Sequence, residues 1–535
     1  MARSDLMHAL QGLVAKARRE RVDALASPAQ RRAMLVENER RRAFMGRTLA
    51  VAAAATLPSL AMSPATRASA AGKPRVIVIG GGLAGLAALS DLARAGIAAT
   101  LYEASPRIGG RCWTERRAFD DGQIAERGGE LIDTSHDAMI DLAATHAIPL
   151  DDLLVAEPRG SSPTWIFDGA RYPLADANAD LARILPALER DARILEPELP
   201  TYRRHTAAQR ALDRMSARLW IASRVGGGNA SRFGRLLGNA YREELGGDLD
   251  EISAVSVVAL LNGTPRDRFS PYEDSDQRYH VRGGNDLIVG LLARGVEGRI
   301  ETGSRLVALS RLPDGRYRVT IARDAAMHDD TVDRVVLALP FALLADVDTT
   351  RAGMRPRKLA AIRELGMGRN TKLQLQFRGR PWHAANGNGE TRVEGSFLTS
   401  WDVTRAQDGT AGILNFFSGG TLAVRAGDGT PEERARDALA DLERAYPGIS
   451  AAWNGKVIRN AWDRHPWTRG SYSLLKPGQY VGFHGAEWEP EAGLHFAGEH
   501  TSDASSGYMN GAVETGQRAA REVADALALS PRRVA

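Results

Sequence analysis

The chain has 535 residues, of which 44% are hydrophobic, 25% charged and 6% aromatic. This composition fits a globular protein of two or three domains and excludes a mainly disordered chain or a collagen-like repeat, while the single cysteine, Cys112, excludes an internal disulfide and a cysteine metal cluster. Residues 1–70 carry twelve Lys or Arg and five Asp or Glu, whereas the rest carries 58 and 60, so the net charge of +5 comes from the leader and no nucleic-acid partner is expected.

The first predicted element is a leader. Arg40-Arg41-Arg42-Ala43-Phe44-Met45 precedes an apolar run from Thr48 to Leu57 and a small-residue stretch that ends at Ala68-Ser69-Ala70. This order is typical of an export signal, and the arginines resemble the twin-arginine (Tat) type. The run is shorter than the about 20 residues of a membrane span. We therefore expect no stable membrane span, export by the Tat machinery, and a periplasmic or secreted protein. If the leader is only a basic, alanine-rich disordered arm, the protein stays cytoplasmic.

A dinucleotide site is predicted next. A β-branched strand at 75–79 leads into Gly80-Gly81-Gly82-Leu83-Ala84-Gly85 and then a helical pattern. Gly80 allows the tight turn, Gly82 lets the backbone approach a pyrophosphate, and Gly85 permits close helix–strand packing. A second strand at 98–102 ends at Glu103, where a ribose-hydroxyl acceptor is expected. The alternative is a glycine-rich turn in a purely structural βαβ unit.

A second glycine motif follows the acid almost at once. It reads Arg107-Ile108-Gly109-Gly110-Arg111, with Thr114 three residues later. Its glycines let the loop run close to a ligand, and its two arginines can neutralise phosphate.

Later segments differ in their periodicity. Residues 178–248 show helical spacing and predict a helical cap, residues 370–418 predict mostly strands, and residues 431–447 predict an amphipathic helix opened by Thr430 and Pro431.

The R-x-G-G-R-x-x-[ST] motif resembles the second FAD signature of the flavin-containing amine oxidase superfamily. Further blocks resemble this family in the same order over residues 74–524. They are Arg127-Gly128-Gly129-Glu130, His280-Val281-Arg282-Gly283-Gly284, Leu306-Val307, Val335 to Pro340, Phe496-Ala497-Gly498-Glu499 and Gly507 to Gly516.

The resemblance implies an α/β fold with a Rossmann-type FAD-binding domain and a substrate domain that combines a mixed sheet with helices. We expect the FAD-binding domain at 72–150, 275–340 and 460–528, and the substrate domain at 151–274 and 341–459. The implied FAD-binding residues are Gly80, Gly82, Gly85, Glu103, Arg107, Gly110, Arg111, Gly129, Val307, Gly498, Glu499 and Met509. Ser471 stands where monoamine oxidases carry the cysteine bonded to the flavin, so non-covalent FAD is expected.

The resemblance also implies three catalytic residues. Lys372 matches the lysine that holds a water at flavin N5, although a surface lysine on an alternating strand is the alternative. Tyr472 and Tyr508 match the two tyrosines that flank the substrate nitrogen in monoamine oxidases, and ordinary core packing is their alternative. Cys112 is given no catalytic role, and no metal site is expected.

The substrate is the open point. The resemblance favours an L-amino-acid oxidase, with a primary-amine oxidase second, a non-catalytic flavin-binding scaffold third, and O2 as co-substrate of either oxidase. An α-carboxylate in an apolar pocket needs a paired cation, and we consider Arg469 and Arg378 for this part. Gly507 is expected beside the substrate. Glu130 either binds a basic group of the substrate or forms a structural pair with Arg127 or Arg111. A homodimer is left open.

Overall fold

The computed structural model describes residues 74–262 and 275–529. The predicted leader, residues 1–70, lies outside these residues. A five-stranded sheet, called here the parallel sheet, contains the predicted β-branched strand at its centre. The valines and isoleucines of this strand are all buried, as suits a strand that is covered on both faces. Its strands pair in the order Leu494–Phe496, Arg334–Leu337, Val76–Ile79, Ala99–Tyr102 and Ile300–Glu301.

Two helices cover one face of the parallel sheet. The helix Leu83–Arg94 follows the glycine loop, and the C-terminal helix Met509–Leu529 packs against it. Gly516 makes this close approach feasible, since a Cβ added there would lie 2.1 Å from the carbonyl oxygen of Ala84. The two helices thereby fix where the C-terminal segment reaches the loop.

A seven-stranded sheet, called here the large sheet, forms a second layer. Its strands pair in the order Trp453–Ala461, Asn370–Phe377, Gly412–Gly419, Thr399–Asp402, Gly387–Val393, Ser162–Phe167 and Ala170–Arg171. The strand Asn370–Phe377 alternates strictly, with Leu373, Leu375 and Phe377 packed in the core that also contains the helix Pro431–Leu442. Its other face carries Lys372, Gln374 and Gln376, all buried. The large sheet is therefore apolar on one face and polar on the other.

Helices form a third layer over the polar face. They are Leu174–Ile194, Ala207–Asp213, Ala217–Arg224, Arg232–Leu245 and Ala254–Leu261. Their common core includes Trp220 and Tyr241 and extends to Tyr508. The helical region predicted over 178–248 is present, and its helices extend from Leu174 to Leu261. The combination of the parallel sheet, the large sheet and the helices confirms the predicted α/β class.

The segment just after the predicted domain boundary at residue 340 pairs with a strand that precedes this boundary. The strand Asp348–Arg351 pairs with Arg305–Arg311 in a four-stranded side sheet. Ile362, on the helix Pro356–Glu364, joins the same apolar core as Ile77. This pairing joins strands that are far apart in the sequence, so local periodicity does not predict it. The other side-sheet strands are Tyr317–Arg323 and Ala326–Val332.

The remaining described elements are short. Three two-stranded pairs join Thr114–Glu115 to Ala125–Glu126, Leu150–Asp152 to Tyr279–Val281, and Gly366–Met367 to Ser473–Leu474. The helices are Asp137–Thr145, Leu153–Ala156, Leu287–Ala293, Phe341–Leu344, Pro381–Ala384, Thr421–Ala426 and Gln479–Gly482. Within 74–262 and 275–529, no helix combines the length and the apolar character needed to cross a bilayer.

We expect Gly516→Ala to lower the free energy of unfolding by about 1–3 kcal/mol, because the added methyl group would collide with the backbone at Ala84. Urea unfolding measures this change. Gly290→Ala is the matched control, since Gly290 also lies in a helix but nothing stands within 4 Å of its added Cβ. That variant should be neutral or more stable. Equal effects of the two substitutions would show that the helices can separate without cost.

Candidate active site

The glycine loop forms one wall of a cavity of about 1440 Å³, counting its open mouth. Gly80 has φ +105°, and a Cβ there would lie 2.6 Å from the carbonyl oxygen of Ala338. At Gly82 nothing lies within 4 Å of an added Cβ, and this residue caps the helix Leu83–Arg94 without a side-chain hydrogen bond. The first N–H groups of the helix therefore have no side-chain acceptor at Gly82, and the space next to this residue is open. Free N–H groups at a helix N-terminus suit the phosphates of a dinucleotide.

Glu103 ends the second strand and lines the same cavity. Its carboxylate accepts hydrogen bonds from the backbone N–H groups of Gly81, at 2.6 Å, and Ser105, at 2.7 Å. Burial raises the pKa of this carboxyl, while the two hydrogen bonds oppose the rise. Each carboxylate oxygen can accept a second hydrogen bond, so a ribose hydroxyl can still bind here.

The two arginines of the second glycine motif have different partners. Arg107 donates to the carbonyl oxygen of Gly110 at 2.5 Å and stacks on Trp113 at 4.1 Å. Arg111 donates to Glu499 at 2.9 Å and to the carbonyl oxygen of Ser471 at 2.6 Å. The charge of Arg111 is therefore matched by Glu499, and this arginine ties the motif to the C-terminal segment. Both arginines line the cavity, and their contact with phosphate stays a prediction.

Most of the predicted cofactor and substrate residues meet at this cavity. Those that line it are Gly80, Gly82, Glu103, Arg107, Gly110, Arg111, Gly129, Arg469, Gly498, Glu499, Gly507, Tyr508 and Met509. Gly85 packs behind the loop, where its Cβ would lie 1.8 Å from the carbonyl oxygen of Gly80. Val307 is not among the lining residues, although Arg305 and Leu306 are.

Lys372 is fully buried, so the surface alternative for this residue is wrong. Its ammonium donates to Glu130 at 2.5 Å and to the carbonyl oxygens of Gly128, at 3.0 Å, and Glu126, at 3.1 Å. An ammonium group has three N–H donors, and these acceptors engage all three. The water-binding role of Lys372 stays a prediction, and it would require the exchange of one of these bonds.

Glu130 pairs with Lys372 instead of with Arg127 or Arg111, the partners that its structural interpretation predicted. Its second oxygen accepts from the indole N–H of Trp401 at 2.8 Å. Burial acts to raise the pKa of Glu130, but Lys372 and Trp401 outweigh it, so the pKa lies below its usual value. Because Lys372 already neutralises Glu130, this acid is poorly suited to a basic substrate group.

The two tyrosines have different environments. Tyr508 lines the cavity, and its ring lies 4.9 Å from that of His136. Tyr472 is fully buried against Trp462 and donates to the backbone carbonyl oxygen of Glu243 at 2.7 Å. Ser471, its neighbour, lines the cavity. The structure thus brings the Tyr472 segment to the cavity without placing Tyr472 itself among the lining residues.

Neither of the two arginines considered for binding the substrate α-carboxylate is buried. Arg469 lies at the cavity, but its side chain is 51% exposed and forms an ion pair with Asp346. Arg378 is exposed and donates to the backbone carbonyl oxygens of Ala451 and Trp453. An arginine in water gains little from one more exposed ion pair.

Arg392, which the sequence did not single out, is buried completely. It is the one arginine in residues 74–262 and 275–529 that is classed as buried. The register aligns Lys372 with Phe417, Phe417 with Thr399, and Thr399 with Arg392 across four neighbouring strands. Directly paired residues point to the same face of a sheet. Arg392 therefore lies on the polar face of the large sheet, in the same row as Lys372.

Arg392 is linked to Tyr472 through Glu243. The guanidinium donates to the Glu243 carboxylate at 2.7 Å, and the backbone carbonyl oxygen of Glu243 accepts from Tyr472. Burial raises the pKa of Glu243, and Arg392 opposes the rise. The alternation of Glu390 and Arg392 along a strand was the available signal, but a sequence does not show which face of a strand meets a cavity.

A parallel sheet with a glycine loop at the carboxyl ends of its strands is the architecture of an α/β dinucleotide-binding protein. In the described part of the chain, no group of three or more His, Cys, Asp or Glu could hold a metal ion.

The family model for flavin containing amine oxidoreductase matches residues 83–524, and the chain belongs to this family. YobN of Bacillus subtilis, which carries an L-amino-acid oxidase name, is 26% identical over 486 residues, or 84% of this chain and 94% of YobN. AofH of Mycobacterium tuberculosis, which carries a flavin-containing monoamine oxidase name, is 27% identical over 460 residues, which cover 84% of this chain and 96% of AofH. The structure of cyclohexylamine oxidase from Brevibacterium oxydans has the same fold, with a TM-score of 0.73 and 23% identity over 85% of this chain and 100% of that one. These findings confirm the predicted family and a flavin cofactor.

We expect Glu130→Gln to lower the free energy of unfolding by about 3–5 kcal/mol, because it leaves the buried ammonium of Lys372 without its counter-ion. The double variant Lys372→Met with Glu130→Gln should recover much of this loss. Urea unfolding of the wild type, both single variants and the double variant measures the coupling between the two residues. Additive losses would show that the two side chains act independently.

Proposed function

We propose that the protein is an FAD-dependent L-amino-acid oxidase. Arg392 carries this proposal, because a buried guanidinium on the Lys372 face of the large sheet supplies the cation that a buried α-carboxylate requires. A guanidinium has five N–H donors, enough for Glu243 and a substrate carboxylate together.

The overall reaction balances as follows. The substrate carbon loses a hydrogen with its two electrons and the neutral amino nitrogen loses a proton as the C–N bond becomes an imine, and water hydrolyses the imine to a 2-oxo acid and ammonia. O2 takes up the two electrons and two protons and becomes hydrogen peroxide. FAD supplies the two-electron redox chemistry that connects the two halves.

The chain itself contributes binding and orientation. Gly80, Gly82, Glu103 and Arg107 line the cavity and would hold the cofactor there. Tyr508 supplies an aromatic wall for the amino group. Lys372 and Glu130 fix segment 126–130 against the large sheet and hold a charged pair away from bulk water.

A primary-amine oxidase is the second candidate. The observation in its favour is that Arg392 already faces two carboxylates, Glu243 at 2.7 Å and Glu390 at 3.4 Å. Their combined charge weakens the attraction of Arg392 for a third carboxylate.

The first test measures hydrogen peroxide formed by the FAD-loaded protein with pairs of substrates. Phenylalanine is compared with phenethylamine, and lysine with cadaverine. We expect kcat/KM for each amino acid to exceed that of its decarboxylated amine by about 100-fold or more, because truncating a buried charge pair costs 2–5 kcal/mol. Faster turnover of the amines would contradict the proposal and favour the second candidate.

The variant Arg392→Gln tests the part of Arg392 in the same assay. It should lower kcat/KM for phenylalanine by about 100-fold, mainly through KM, and leave phenethylamine nearly unchanged. Arg318→Gln, an exposed position on the side sheet, should change neither substrate. An equal loss for both substrates would assign Arg392 a structural part only.

We further propose that FAD is held without a covalent bond. Ser471 stands at the cavity, and its hydroxyl donates to the side-chain oxygen of Asn370 at 2.5 Å. A serine hydroxyl cannot form the thioether that a cysteine forms. Acid precipitation should therefore release all of the yellow colour into the supernatant, as read by absorbance. Colour that stays in the washed pellet would contradict this prediction.

A further inference from the structure

A second cavity of about 1140 Å³, counting its open mouth, lies between the helix Arg232–Leu245 and one end of the large sheet. We call it the distal cavity, because it shares no lining residue with the cavity of the glycine loop. Four arginines line the distal cavity, whereas only two acids do. These six residues are Arg218, Arg235, Arg242, Arg425, Asp248 and Glu394. The charged side chains in its wall are therefore mostly cationic.

Arg242 retains a donor that no acceptor in the described part of the chain satisfies. Its Nε atom is buried and has no hydrogen-bond partner there, although a carboxylate oxygen of Asp248 lies 3.5 Å away. The same carboxylate lies 3.6 Å from Arg369, so the two guanidinium groups share it. Burial lowers the pKa of Arg242, Asp248 opposes this effect, and the positive charges of Arg218 and Arg425 add to it. An anion next to Arg242 would relieve this repulsion.

The other arginines of the distal cavity differ in their pairing. Arg218 lies 2.8 Å from Asp250, and Arg235 lies 2.7 Å from Glu394, so each has an acid of its own. Arg425 is exposed at the cavity and forms no ion pair within residues 74–262 and 275–529. Arg425 thus adds positive potential that no neighbouring carboxylate cancels.

Two amide oxygens in the same wall lack donors. The side chain of Asn239 donates through its nitrogen to the carbonyl oxygen of Val393 at 3.1 Å, but its oxygen has no partner among the described residues. Asn239 is only 6% exposed. The side-chain oxygen of Asn229 is buried without a partner in the same way, and both asparagines line the distal cavity. Because buried acceptors without donors are unfavourable, these atoms indicate a ligand that carries N–H groups.

Asn239 and Arg242 stand three residues apart on one helix, so they lie on the same helix face, and both line the distal cavity. A guanidinium attracts a carboxylate, and an amide oxygen accepts a hydrogen bond from an ammonium group. An α-amino acid carries these two groups on a single carbon. Phe167, Leu249 and Leu398 supply an apolar part of the wall that an aliphatic side chain can cover.

We propose that the distal cavity is a second binding site of this protein, for an α-amino acid with an aliphatic side chain. Arg242 binds the carboxylate, and the side-chain oxygen of Asn239 accepts a hydrogen bond from the ammonium group. Arg218 and Arg425 add positive potential around the carboxylate. The site is separate from the cavity of the glycine loop, and its existence does not depend on the proposed oxidase function.

The probe is α-methylleucine, because its α-carbon carries no hydrogen and the protein cannot oxidise it. Calorimetric titration of the FAD-loaded protein measures its binding. The compounds 4-methylpentanoate and isoamylamine serve as analogues that keep only the carboxylate or only the ammonium group. We expect α-methylleucine to bind at least about tenfold more tightly than either analogue. Equal binding of 4-methylpentanoate would overturn the amino-acid assignment, and no binding of any probe would overturn the site.

Three variants connect the binding to the distal cavity. Arg242→Gln leaves Asp248 with Arg369 as its partner, and it should weaken the binding of α-methylleucine by about tenfold or more. Asn239→Ala should weaken the binding of α-methylleucine and leave that of 4-methylpentanoate within about twofold. Arg436→Gln, the matched control, removes an exposed arginine outside the cavity and should change neither. Thermal unfolding and bound flavin, measured on every variant, report folding.

The absorption spectrum of the flavin separates the two sites. A ligand in the cavity of the glycine loop should perturb this spectrum, so a spectral titration with α-methylleucine reports that cavity. The spectral affinity should be the same in the wild type and in Arg242→Gln, whereas the calorimetric affinity should differ. If α-methylleucine gives one affinity by both methods and Arg242→Gln does not change it, the distal site is overturned and the oxidase function stands. If the peroxide assay contradicts the oxidase function, the calorimetric result still decides the distal site.

Discussion

The buried ion pair between Lys372 and Glu130 is the constraint on which the site depends. An ammonium group without water requires a counter-ion and acceptors for its hydrogens, and Lys372 finds all of them in segment 126–130. The pair joins the large sheet to a loop whose Gly129 lines the cavity. A shift of either partner would expose or unpair a buried charge, so the cavity wall and the sheet must move together.

The same constraint explains the two faces of the large sheet. Leucine and phenylalanine on the strand Asn370–Phe377 pack under the helix Pro431–Leu442, where burial of apolar surface stabilises the layer. The opposite face could not be apolar, because it receives the backbone carbonyl oxygens of Glu126 and Gly128, which need donors. Gln374 meets this need as Lys372 does, by donating to the carbonyl oxygen of Glu126 at 3.1 Å.

The sequence is informative about the cofactor half of the site because that chemistry is local. Strand, glycine loop, helix and Glu103 lie within thirty residues, and backbone geometry at Gly80 and Gly82 determines what the loop can bind. The substrate half is assembled from side chains on separate strands. The contact between Glu130 and Lys372 joins residues 242 positions apart, and Arg392 reaches Glu243 across 149. Local periodicity predicted the strands, but the register that turns Arg392 and Glu390 toward the polar face is a property of the whole sheet.

Three glutamates near this face show how position sets charge. Glu130, bound by a lysine and a tryptophan, has a lowered pKa, whereas burial raises the pKa of Glu243 and of Glu390. Arg392 lies 2.7 Å from Glu243 and 3.4 Å from Glu390, and it opposes the effect of burial on Glu243. Residues of one type near one face of one sheet therefore differ in charge according to their partners, because a lysine and an indole N–H stabilise the charged form of Glu130, whereas burial favours the neutral form of Glu243 and Glu390.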